Sequence, residues 1–122
     1  MHIKTLLKIT CCGLLLAACT NDSPEDLLDG QPITGTVTYN ANVKPIITNN
    51  CLFCHTSPPV NGAPMQLTTY EDVKNAVLNR GLLNRISRQN GEEGLMPNGG
   101  PRMPQHNIDV INQWLEDGLL EQ

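Results

Sequence analysis

Residues 39–55 of the chain read YNANVKPIITNNCLFCH, and the last five of them decide what kind of fold the sequence can form. Cys51 begins a C-x-x-C-H run, which is the attachment signature of c-type haem. The two intervening residues bring both sulfurs to one side when the segment makes a single helical turn. The motif predicts one covalent haem c, bound through thioethers to Cys51 and Cys54 and ligated at the iron by His55.

The segment that precedes the motif predicts export. Lys4 and Lys8 are followed by an apolar run over residues 9–18, which is typical of a secretory signal and too short to span a membrane. The run ends in LAAC, which resembles the bacterial lipobox. We therefore expect residues 1–18 to be a lipoprotein signal peptide and Cys19 to be lipidated. Such an anchor predicts a protein held on a membrane of the bacterial cell envelope, on its periplasmic or surface side.

Composition indicates the domain organisation and the kind of partner. Residues 19–35 are polar, acidic and punctuated by Pro and Gly, which predicts a flexible tether, and residues 36–122 form one small domain. Loss of the signal removes two of eight basic side chains and leaves six against twelve acidic ones, a net charge of −6. That charge argues against nucleic acid and favours steering towards a basic redox partner protein. Only Cys51 and Cys54 would remain unmodified, so no disulfide framework is expected.

Hydrophobic spacing in the domain predicts four short helices joined by Pro/Gly-rich loops, with no sheet, so the expected fold class is all-α. We expect the first helix to be capped by Asn42, to hold Pro45 in its first turn and to run into the haem motif. The second should begin with a capping box of Thr68 and Glu71 and end at Gly81.

The stripe of the second helix consists of Val73, Ala76 and Val77. A short third helix is expected around Leu82, Leu83 and Ile86, followed by a loop over residues 89–104. The last helix should run from about Gln105 to Asp117 and stop at Gly118, with one apolar face made of Ile108, Ile111, Trp114 and Leu115.

A low-spin electron carrier needs a second axial ligand, and four side chains are candidates. Met96 is favoured because a proline follows it and two glycines then allow close approach to the macrocycle. A neutral thioether ligand favours ferrous iron. Met103 is the rival, although its place directly ahead of the last helix suits a packing residue. His106 would give bis-imidazole ligation, Met65 suits a pocket wall, and an open sixth position is a further alternative.

Other groups are expected around the haem. The second nitrogen of His55 should donate to a backbone carbonyl, with residues 57–59 as the expected source. Arg85 is the first candidate to bind the propionates, ahead of Arg80 and Arg88, and a solvated helix face is an equally good interpretation of all three. The candidate haem-wall residues, each of which could instead be ordinary core, are Leu52, Phe53, Val60, Leu67, Leu82, Leu83, Ile86, Leu95 and Ile111.

Residues 39–118 resemble small bacterial c-type cytochromes, in particular the planctomycete-type cytochrome c domain. The likeness rests on YNANVKPIITNNCLFCH and on LMPNGGPRMPQHNIDVINQWLEDG, which contains the family's M-P-x-G-G and W-[IL]-x-x-G patterns. It implies a cytochrome c-like fold with thioethers at Cys51 and Cys54 and axial ligation by His55 and Met96. It also implies that the first and last helices cross, with Trp114 in their contact.

These features predict a membrane-anchored monohaem c-type cytochrome that carries single electrons between redox proteins and is not an enzyme. One alternative is a haem c sensor or peroxidase-like site with an open sixth position. A less favoured alternative is a thiol–disulfide oxidoreductase that uses the C-x-x-C pair, because no strand of a βαβ unit precedes Cys51. Zinc binding is disfavoured because no second Cys/His pair follows at ligand spacing.

Overall fold

A computed structural model describes residues 32–122, and this part of the chain is helical and contains no strand. The expected all-α class is therefore confirmed. The predicted signal peptide, the lipidation at Cys19 and most of the predicted tether lie outside the described residues. The helical elements are a π-helical turn over Tyr39–Val43, α1 over Lys44–Asn50, α2 over Tyr70–Asn79, α3 over Leu82–Ser87 and α4 over Gln105–Glu116.

The first helical segment starts earlier than the sequence predicts. Thr38 is extended, and the π-helical turn begins at Tyr39 and leads directly into α1. Asn42 therefore lies inside the helical segment, and its Oδ1 accepts a hydrogen bond at 2.9 Å from the backbone N–H of Thr38. The prediction of Asn42 as the N-cap is wrong because its side chain reaches backwards instead of forwards. Pro45 does lie in the first turn of α1, as expected.

α2 begins with a capping box, one residue later than predicted. The Thr69 Oγ1 accepts from the Asp72 N–H at 3.1 Å, and the Asp72 carboxylate accepts from the Thr69 N–H at 3.0 Å. The predicted pair Thr68 and Glu71 is wrong because two threonines and two acids stand in tandem, which makes both registers compatible with the pattern. The predicted apolar stripe of α2 is buried as expected. Gly81, at φ 69°, follows the helix in the left-handed conformation.

α4 supplies the centre of the core. Ile108, Ile111 and Trp114 are buried as expected, whereas Leu115, in the last turn of the helix, is exposed. The Trp114 indole lies 5.8 Å from the Tyr39 ring, and its Nε1 donates to the Leu120 carbonyl at 2.8 Å. α4 thus packs on the turn that leads into α1.

The two ends of the described chain are joined. The Tyr39 N–H donates to the Leu120 carbonyl at 2.8 Å, and the Tyr70 hydroxyl donates to the Leu119 carbonyl at 2.7 Å. Gly118, at φ 90°, reverses the chain after α4 and allows Leu119 to turn back into the core. With the ends held, residues 51–69 and 88–104 form the long loops that carry the candidate ligands.

Candidate haem-attachment site

The cysteine motif forms one turn at the end of α1. Cys51 is the C-cap of α1, and its backbone N–H donates to the Ile47 carbonyl at 2.9 Å. The Cys51 carbonyl then accepts from Cys54 at 3.2 Å and from His55 at 2.9 Å. These two bonds close the single helical turn that the motif predicts, with both thiols free and half-buried.

The His55 ring is held by the loop that follows it. Its Nδ1 lies 2.8 Å from the Met65 carbonyl oxygen, and the His55 carbonyl accepts from the Leu67 N–H at 2.8 Å. A carbonyl only accepts, so Nδ1 is the donor, and in the neutral ring the lone pair then lies on Nε2. The predicted carbonyl partner is therefore confirmed, but its predicted source in residues 57–59 is wrong. The carbonyl that His55 contacts belongs to a residue ten positions further along the chain, after the prolines at 58 and 59.

The environment of Cys51 does not favour a reactive thiolate. Burial raises the pKa of the Cys51 thiol to about 11. Cys51 also stands at the C-terminal end of α1, where the negative end of the helix dipole opposes a thiolate, whereas redox-active cysteines stand near a helix N-terminus. Within residues 32–122 no group of three or more His, Cys, Asp or Glu side chains could hold a metal ion.

The segment of sequence around the motif carries no formal charge. Between Lys44 and Glu71 the sequence contains no Asp, Glu, Lys or Arg. Low polarity near an iron centre favours the form with the lower net charge, which is the ferrous state. Any cation that pairs with the haem propionates must therefore come from another part of the chain.

One polar contact in this region was missed by the sequence analysis. The Asn61 Nδ2 lies 3.6 Å from Cys54 Sγ and donates to it. The sequence signal was the Asn61-Gly62 pair, which is typical of a tight turn. That signal predicts the turn and gives no indication of the sulfur contact.

Met96 and the other candidates for the sixth ligand occupy different environments. Met96 is half-buried at the edge of the core, and its N–H donates to the Arg85 carbonyl at 3.1 Å. Met103 is only 3% exposed and belongs to the core itself. Met65 is half-buried at the edge of the same core, and His106 is half-buried in the first turn of α4. The packing interpretation of Met103 is therefore borne out by its burial.

The three arginines that are candidates to bind the propionates differ in their contacts. The exposed Arg85 donates to the Gly94 carbonyl at 3.3 Å, and Arg88 donates to Asn84 Oδ1 at 2.9 Å and to the Glu93 carbonyl. Both therefore hold the loop that leads to Met96. Arg80 is exposed at the end of α2 and lines an open cavity of about 400 Å³ together with Pro64, Met65 and Asn79. Arg80 is thus the arginine that lies beside Met65, whose carbonyl holds His55.

The predicted haem-wall residues fall into three groups. Leu67, Leu82, Ile86 and Ile111 are buried in the core. Leu52, Leu83 and Leu95 are half-buried. Phe53 is 86% exposed and Val60 is also exposed. The structure thus assigns the first group to ordinary core.

Some of the candidate ligand and wall side chains lie at the edge of the core. Five of them are half-buried and pack against the same buried cluster: Cys51, Leu52, Met65, Leu83 and Met96. Two thiols, an oriented imidazole and a thioether on an apolar surface form the donor set that a covalently attached haem requires. The residues present therefore fit haem c.

Comparisons with known proteins add no relative. The chain matches no protein-family model, and searches of curated proteins and of solved structures found no match. In the part of the chain that the structure describes, no helix is long and apolar enough to cross a membrane.

Proposed function

We propose that the protein is a monohaem c-type cytochrome with a cytochrome c-like fold that carries single electrons between redox partner proteins. The observation that carries this proposal is the Cys51–His55 turn with its imidazole held at Nδ1 by the Met65 carbonyl. A metal-ligating histidine commonly donates its other N–H to a carbonyl, which fixes the ring and raises the basicity of the ligand nitrogen. Haem c would supply an iron that changes by one electron between the ferric and ferrous states.

Each residue has a defined task in this proposal. Cys51 and Cys54 attach the haem, and His55 presents the Nε2 lone pair to the iron. Met96 supplies the sixth ligand, because its thioether is half-buried at the core edge while that of Met103 is enclosed in the core. A soft, neutral thioether ligand stabilises the reduced state. Arg80 and Arg85 are the candidate partners of the propionates.

From the sequence we also propose a lipid anchor at Cys19. It would hold the domain at a membrane of the cell envelope, where its electron donors and acceptors would meet it. A thiol–disulfide oxidoreductase is disfavoured by the position of Cys51 at a helix C-terminus and by its raised pKa.

The proposal is tested by expressing the full chain in a host that carries the haem c maturation machinery. We expect the intact mass to include one haem that survives denaturation, and Cys51→Ala/Cys54→Ala to abolish it. Cys11→Ala/Cys12→Ala is the matched control, because it removes two thiols from the predicted signal peptide, and it should retain the haem. A wild-type chain without covalent haem would overturn the proposal, and the same two cysteines would then be examined as a redox dithiol.

A further inference from the structure

Asn61 has an unusual backbone conformation next to the candidate site. Its φ is +53°, and that of the following Gly62 is +78°. The Ala63 N–H donates to the Val60 carbonyl at 3.0 Å, which closes a tight turn over residues 60–63. The Val60 N–H in turn donates to the Cys54 carbonyl at 2.9 Å, so the turn is attached to the cysteine motif.

Asparagine tolerates a positive φ, and the Asn-Gly pair is typical of a tight turn, so the backbone of Asn61 is accounted for by the turn. Its exposed side chain makes a second contact, in which Asn61 Nδ2 donates to Cys54 Sγ at 3.6 Å. The amide nitrogen is only a donor, and the sulfur therefore accepts through a lone pair. The S–H of Cys54 is not consumed by this contact.

We propose that Asn61 is a positioning residue for haem attachment at Cys54. The inference rests on the proposed function and extends it to a residue that neither the C-x-x-C-H motif nor the ligand candidates include. In the attachment step the S–H adds across a vinyl double bond: the sulfur bonds to one carbon, the hydrogen goes to the other, and no electron is gained or lost. The sulfur keeps a lone pair as a thioether, so the Asn61 amide can hold it before and after the step.

Two substitutions separate this role from that of a simple turn residue. Asn61→Gly accepts the positive φ and removes only the amide, so the turn is retained. Asn61→Asp keeps the shape and the tolerance of the left-handed conformation but turns a carboxylate oxygen towards the sulfur. A residue needed only for the turn would tolerate both changes.

The measurement is the fraction of haem-loaded protein in which Cys54 is still a free thiol. The purified protein is denatured, alkylated with iodoacetamide and mapped by peptide mass, so that a chain attached through Cys51 alone reports a modified Cys54. We expect Asn61→Gly to raise this fraction about two- to fivefold, as the loss of one modest hydrogen bond implies. We expect Asn61→Asp to raise it further, because its carboxylate repels the sulfur lone pairs.

Asn90→Gly is the matched control, because Asn90 also precedes a glycine and the change also removes one side-chain hydrogen bond, which Asn90 Oδ1 accepts from the Arg102 N–H at 2.8 Å, but in the 88–104 loop. It should leave the Cys54 fraction at the wild-type value. Wild-type attachment in both Asn61 variants would overturn the role of Asn61 and leave the proposed function intact. A wild-type chain with no covalent haem would overturn both.

Discussion

Met96 and Met103 stand seven residues apart in one loop, and each is followed by a proline, yet the structure gives them opposite environments. Met103 is 3% exposed and packs in the core directly ahead of α4. Met96 is half-buried at the core edge, and its backbone is tied to α3 through the Arg85 carbonyl. Two methionines of one loop thus differ in role, because one is enclosed by the core and the other keeps part of its side chain at the surface.

The largest expected effect concerns Met103 and the stability of the fold. Met103→Ala should lower the free energy of unfolding by about 2–5 kcal/mol, because it leaves a cavity in the core. Denaturant unfolding of the haem-loaded protein measures it. Met103→Leu keeps most of the volume and should cost less than about 1.5 kcal/mol. If Met103→Ala leaves stability unchanged but exposes the iron to carbon monoxide, the two methionines have been assigned the wrong way round.

The next effect concerns Met96 and the iron. Met96→Ala should lower the reduction potential by on the order of 100 mV, within the roughly 0.8 V range that axial ligands span. It should also let carbon monoxide bind the reduced iron. Potentiometric titration and a carbon monoxide difference spectrum measure the two changes, with Met103→Leu as the control. An unchanged potential in Met96→Ala would remove Met96 from the site and return His106 or an open position to consideration.

A smaller effect concerns the cap of α2, which should change the stability of the fold but not the iron. Thr69→Ala removes the side-chain cap of α2 and should lower the free energy of unfolding by about 1 kcal/mol, without changing the reduction potential. Thr68→Ala keeps the Thr69 cap and should cost less. If Thr68→Ala is the more damaging of the two, the capping box has the register that the sequence predicted.

The smallest effect is a dependence of stability on acid. Partial burial would raise the pKa of the Asp72 carboxyl, but hydrogen bonds from Thr69, Gln66 and Thr68 outweigh it and hold the pKa below the usual 3.8. The Asp117 pKa is lowered by hydrogen bonds from the Val37 N–H and from Gln113. Carboxylates whose folded pKa is depressed stabilise the fold above their unfolded pKa, and that stability is lost as the pH falls through the folded value.

Unfolding by denaturant between about pH 2 and pH 6 measures this dependence. Asp117→Asn should flatten the loss of stability below about pH 4. An equally steep acid slope in Asp117→Asn would show that Asp117 does not contribute to it.

Patterns with a strong side-chain period were predicted well from the sequence. The helices over residues 70–79, 82–87 and 105–116 follow from apolar spacing, and glycines end the first and the last of them. The motif turn follows from its own spacing. The register of the α2 cap could not be decided, because tandem threonines face tandem acids three residues on. The π-helical turn at Tyr39 has no comparable sequence signature.

The finer contacts of the candidate site depend on how a loop folds back, which local patterns do not encode. The partner of His55 is a backbone carbonyl, and every residue has one, so the sequence could predict the kind of partner but could not select Met65. The contact of Asn61 with Cys54 likewise follows from the return of the chain through residues 56–63. The kind of partner that His55 needs could be predicted from its side chain, whereas the residue that provides it could not.

The proposal of a covalent haem with two axial protein ligands is tested by an absorption spectrum of the purified protein. The spectrum is recorded for the oxidised and the reduced protein, before and after addition of carbon monoxide. We expect covalent haem with a low-spin reduced spectrum that carbon monoxide does not change, because in the proposed cytochrome His55 and Met96 would occupy both axial positions. Absence of haem absorption in protein from a maturation-competent host would contradict the account. A reduced spectrum that shifts with carbon monoxide would contradict the assignment of Met96 as the sixth ligand.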